Sequence, residues 1–103
     1  MRFIVWTDLA VADLENLHTY IARDSQRYAD RFIEKLITSV ERLLEFPEMG
    51  RIAPESPEAN IREVIFQNYR VFYRPEADRI LDLAVVHGGR DLSLLASKPW
   101  EIV

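Results

Sequence analysis

With 103 residues, 49% of them hydrophobic, the chain is long enough to close one core without staples, and having no cysteine it has no disulfide framework, no thiolate metal ligand and no thiol nucleophile. A net charge of -4 with 29% charged residues well dispersed argues against disorder, and against a protein that grips nucleic acid mainly through phosphates. No apolar run has the length of a membrane span and the N-terminus turns polar too soon for a signal peptide, so a cytoplasmic protein made of one domain, residues 1–103, is expected.

Arg2 to Trp6 reads as a first strand. Thr7 or Asp8 can cap a helix, because either side chain accepts a bond from a free N–H of the first turn. Ala10, Leu14, Leu17 and Ile21 then recur along one helical face to about Asp24-Ser25. A second helix is expected from Gln26–Ala29, with a broad apolar stripe at Phe32, Ile33, Leu36, Ile37, Val40, Leu43 and Leu44, stopped by Pro47. The short break between them makes an antiparallel helical hairpin. Pro47 to Asn60, with three of the five prolines, reads as a loop. Strands follow at about Ile61–Phe66, Tyr69–Arg74 and Arg79–Val86, the first two joined at Gln67-Asn68, where Asn tolerates a left-handed turn. In the last strand Leu81, Leu83 and Val85 alternate with Asp82 and Ala84, which predicts one buried face. Asp91 can cap a short helix running to Ala96. The order β-α-α-β-β-β, with a helical hairpin on a mainly antiparallel sheet, is α+β.

The chemistry-bearing residues concentrate between Arg62 and Asp91. Arg62, Arg70, Arg74, Arg79 and Arg90 lie there without a single lysine, and arginine favours planar, bidentate and stacked contacts. Arg70 and Arg74 alternate onto one face with Phe72, so the three form a candidate recognition face. The plainer alternative is a cross-strand ion pair with Glu63 or Asp82. His87, at the end of a strand before Gly88-Gly89 and close to Arg90, can serve as a general acid or base near neutral pH, or simply bond to backbone at the sheet end. His18 sits beside an apolar stripe and reads as structural. Two histidines and no cysteine offer no metal site, and neither a phosphate-binding glycine loop nor a nucleophile elbow is present, so no cofactor is expected. The tail Trp100-Glu101-Ile102-Val103 must fold back on the core or be covered by a partner.

Taken in order, Trp6-Thr7, Asp13-Leu14, Tyr20-Ile21, Arg31-Phe32-Ile33, Phe46-Pro47, Gly50-Arg51, Ile61-Arg62-Glu63, Tyr69 to Arg74 and Val86 to Asp91 resemble the RelE/ParE superfamily of bacterial toxins, and its ParE branch in particular. The resemblance spans essentially the whole chain; each piece is weak alone, and their order and spacing are specific. It implies a growth-inhibiting toxin of a type II toxin–antitoxin pair, neutralised by a ParD-like antitoxin that wraps it and that carries operator-DNA binding for the complex. ParE-type toxins are associated with DNA gyrase inhibition, and RelE-type toxins with cleavage of mRNA on the ribosome.

The residues favour the gyrase branch. Cleaving RNA at a 2′-hydroxyl needs acid/base groups and cations around a charged phosphorane. RelE-like ribonucleases supply these with a basic cluster and often a C-terminal tyrosine. Here there are two lysines, Lys35 and Lys98, and no tyrosine after Tyr73. Only His87, Arg90 and Arg62 remain for a ribonuclease. The expectation is a non-enzymatic inhibitor whose antitoxin- or target-binding residues are Arg70, Phe72, Arg74, Arg90, Trp100 and Ile102.

Overall fold

Thr7 sets the first corner of the fold. The computed structural model describes residues 2–95 and 98–101. Strand β1 (Phe3–Trp6) ends at Thr7, whose hydroxyl accepts from the Ala10 N–H and so caps helix α1 (Asp8–Ala22). Ser25 caps helix α2 (Gln26–Glu41) in the same way through the Tyr28 N–H. A 3₁₀ turn, Arg42–Leu44, follows, so the regular helix stops before Pro47 rather than at it. Strand β2 (Arg51–Ile52) interrupts the expected loop and pairs with strand β3 (Arg62–Phe66), strand β4 (Tyr69–Pro75) and strand β5 (Arg79–His87) completing the sheet.

The sheet has the order β1-β5-β4-β3-β2. It is antiparallel except that β1 runs parallel to β5. The two helices cover one face, where Leu17, Phe32, Leu36 and Val40 meet Val64, Val71, Tyr73, Ile80 and Val85. The other face is also covered. Ala53 and Ile61, flanking the loop after β2, pack there with Leu92, Leu95 and Trp100 over Phe72, Leu81, Leu83, Ala84 and Val86. The helix expected after Asp91 is a single 3₁₀ turn, Leu92–Leu94, capped by Asp91 through the Ser93 N–H; Ala96 lies outside the described residues.

Two local expectations are corrected. The left-handed residue of the β3–β4 turn is Gln67, at φ 55°, not Asn68. And β5 does not alternate simply: Phe72 pairs with Ala84 and Tyr73 with Asp82, so Leu83 is an extra residue, a β-bulge. The bulge flips the pleat. Leu81 and Leu83 point to the second face, while Val85 points to the helices. Both faces of β5 are therefore buried.

Candidate functional site

The sequence-predicted residues fall into three separate places. The first is the second face of the sheet, where the side chains of Arg70 and Phe72 do share a side: the Arg70 guanidinium carbon stands 4.7 Å from the Phe72 ring centre. Neither is open to a partner, for Arg70 is 6% and Phe72 0% exposed. Arg70 donates to both carboxylate oxygens of Glu63, itself fully buried, and through Nη1 and Nη2 to both oxygens of Glu55 at 2.8 and 2.7 Å. Arg51 adds a bond to Glu63 at 3.1 Å. The hydrogen bonds to Glu55, then those to Glu63, hold Arg70 firmly protonated, and Arg70 in turn pulls the Glu55 carboxyl below its ordinary range. The expected open recognition face is thus, at Arg70 and Phe72, a closed ionic lock that ties the loop after β2 to the sheet. The ion pair with Glu63 was the alternative the sequence offered. Arg74 lies further along, partly exposed, and pairs with Glu76 at 2.9 Å rather than with Asp82.

The second place is the start of β3. Arg62 Nη1 donates to the backbone oxygens of Gly50, at 2.7 Å, and Glu48. It is a clamp on the chain entering β2. Beside it the Tyr73 hydroxyl donates to Pro47 O at 2.8 Å and accepts from the Gly50 N–H at 3.0 Å.

The third place is the far end of β5. His87 pairs across β4 with Tyr69, while Arg62 pairs with Tyr73. Four residues of strand, roughly 13 Å, and the width of β4 separate the two ends. The set His87, Arg90 and Arg62 is therefore not assembled: His87 and Arg90 are together, and Arg62 is not with them. His87 stacks edge-on against Tyr69, and its Nδ1 accepts the Gly89 N–H at 3.1 Å, the backbone role that was the alternative to catalysis.

Around His87 and Arg90 lies a cleft of about 610 Å³ between α1, the end of β5 and the C-terminal segment. Sequence reasoning missed its most informative member. Asp13 accepts from the Val85 backbone N–H at 2.9 Å, and burial raises its carboxyl above the ordinary value, against the opposing pull of that hydrogen bond and of Arg90. Asp13 lies one turn beyond Ala10 on α1, and only knowledge that α1 passes alongside β5 could have placed it there. Trp100 is half-buried and folds back on the second face, which answers the question of the tail as far as that residue; Ile102 lies outside the described residues. Among the described residues there is no group of three or more histidine or acidic side chains arranged to hold a metal ion.

Comparison with known proteins agrees with this architecture. The family model described as the ParE toxin of the type II toxin–antitoxin system parDE matches residues 4–92. Toxin RelE2 of Caulobacter vibrioides is 38% identical over 65 residues, covering 63% of this chain and 69% of that protein. Among solved structures, one of the chromosomal ParDE system of P. aeruginosa superposes with a TM-score of 0.69 at 20% identity, over 84% of this chain and 95% of the other. The RelBE2 toxin–antitoxin complex of Mycobacterium tuberculosis gives 0.57, also at 20% identity, over 82% and 95%. At that identity the two structures speak to the fold alone.

Proposed function

We infer that this chain, which belongs to the ParE family of toxins of type II toxin–antitoxin systems, inhibits growth by binding DNA gyrase rather than by catalysis, and is held inactive by a ParD-like antitoxin. The observation that carries the reading is the fate of the arginines. Arg70 is neutralised by two carboxylates and Arg74 by Glu76, and Arg62 is spent on holding backbone carbonyls. A ribonuclease needs unpaired cations converging on one phosphate. Here, among the described residues, Arg90 is the one cation lining the cleft with His87, in a chain of net charge -4 that RNA would repel. Arg74, Arg90 and Trp100, which keep exposed or half-buried surface, are the proposed contact residues. Arg70 and Phe72 act behind them by fixing the loop, and Ile102 continues the tail.

The similarity to a toxin named RelE2 favours a second reading, a ribosome-dependent mRNA endoribonuclease using His87 and Arg90. Expression without the antitoxin separates the two. The expected outcome is DNA breaks, induction of the DNA-damage response and filamentous cells, with mRNA intact. Prompt arrest of translation with cleaved mRNA and unbroken DNA would overturn the gyrase reading and establish the second.

A further inference from the structure

Strand β1 stops at Trp6, opposite Asp82, but β5 continues to His87. Its outer edge from Leu83 onward therefore has no strand neighbour among the described residues. A sheet edge of this kind presents backbone donors and acceptors that must be satisfied or offered to a partner. Two side chains satisfy part of it. Thr7 Oγ1 donates to the Leu83 carbonyl at 3.0 Å, and Asp13 accepts from the Val85 N–H. The His87 carbonyl is taken by the Arg90 N–H at 3.0 Å.

The bulge at Leu83 decides which groups remain. Before it, Asp82 faces β1, as the bond from the Thr7 N–H to its carbonyl shows. After it, Leu83, Val85 and His87 face outward, and the Gly88 N–H turns inward to Asn68 O. The Val85 C=O and the His87 N–H thus point outward, and no hydrogen bond among the described residues takes up either. These are the two groups that a single residue of a parallel strand engages, one on each side of Val86. An antiparallel strand would instead need both groups of Val85 or both of His87, one of which is already occupied in each case.

The cleft lies along this edge. Leu9, Asp13, Leu17 and Tyr20 of α1 form its long wall, a helical stripe of twelve residues that spans roughly 16 Å. That length accepts about five residues of extended chain. Leu9 and Tyr20 are 45% and 65% exposed, apolar surface of the kind a partner covers. At the mouth Arg90 is exposed and makes no ion pair among the described residues.

We propose that an extended segment of the antitoxin docks in this cleft as a strand parallel to β5, bonding through Val85 C=O and His87 N–H and setting a carboxylate side chain against Arg90. The site rests on the reading of the chain as an antitoxin-held toxin, and names where and in what form one contact is made. The Asp13 carboxylate on the Val85 N–H and the Arg90 N–H on the His87 carbonyl stay in place and set the register, because among the described residues they leave the pair that a parallel strand uses.

The test uses the full chain, alone and co-expressed with the product of the neighbouring reading frame. Amide hydrogen exchange should show the His87 N–H fast in the free protein and slowed at least tenfold in the complex. Arg90→Glu, at an exposed position, should weaken the complex at least tenfold, while Arg27→Glu on α2 leaves it unchanged. Weakening by Arg90→Glu without protection of the His87 amide would mean a helix fills the cleft and would overturn the strand. Neither effect in a complex that still forms would overturn the site while leaving the antitoxin reading intact. No complex at all would overturn that reading and the site with it.

Discussion

Arg70 and Glu63, on adjacent antiparallel strands, form a buried ion pair beneath the loop after β2, and Glu55 of that loop closes over it. Removing one partner of such a pair leaves the other charge buried and uncompensated, which typically costs about 3–5 kcal/mol. Arg70→Met should lower the melting temperature by more than about 10 °C, and Glu55→Gln, at the exposed end of the network, by much less. Thermal unfolding of the two variants checks the order; equal losses would show that the loop contact, not the buried pair, carries the stability.

Asp82 is fully buried, and neither of its carboxylate oxygens has a hydrogen-bond partner among the described residues. Burial raises its pKa from 3.8 to about 8. An acid raised in this way is protonated when folded and ionised when unfolded throughout the interval between the two values. Its contribution to stability is complete below about pH 4 and falls as pH rises toward 8, by at most about 1.4 kcal/mol per unit. Urea unfolding between pH 5 and 8 should show wild type losing stability with rising pH and Asp82→Asn losing distinctly less. Parallel profiles would show that the carboxyl finds a partner.

Gly50 is packed so tightly that a Cβ would stand 2.4 Å from the Glu63 carbonyl and 2.7 Å from the Tyr73 hydroxyl. Gly50→Ala must therefore move backbone, and should destabilise by more than Tyr73→Phe. The latter strips the Gly50 N–H of its acceptor and the Pro47 carbonyl of its donor, about 1–3 kcal/mol for buried polar groups. Chemical denaturation of both variants measures the difference.

On the binding reading, His87→Ala retains toxicity, because among the described residues the ring stacks on Tyr69 and bonds its own turn. Growth of cells expressing the variant without antitoxin should be arrested as in wild type. A loss of toxicity of a hundredfold or more, in a variant shown by circular dichroism to be folded, would place the imidazole in a chemical step.

Much of the fold was legible because it is written in local periodicity. The cap at Thr7, the stripe from Phe32 to Leu44 and the three long strands each follow from a short window of sequence. The site was legible only as composition. Alternation put Arg70 and Phe72 on one face correctly, but whether that face meets solvent depends on a loop and a C-terminal segment distant in sequence. The short strand at Arg51–Ile52 escaped notice because a two-residue pairing leaves no period to detect.

The sequence by itself determined an α+β toxin fold and its family, since cap residues, apolar spacing and the ordered motifs are properties of the chain read in one dimension. The tertiary structure decided which arginines are free. Charge neutralisation is pairwise and acts at a few ångströms, so Arg70 beside Glu55 and Arg90, without such a partner among the described residues, look alike until the chain is folded. It also decided that β1 ends before β5, a pairing between segments more than seventy residues apart, and that a bulge at Leu83 in the β4–β5 pairing turns Val85 and His87 outward, because strand register is settled between segments and not within one.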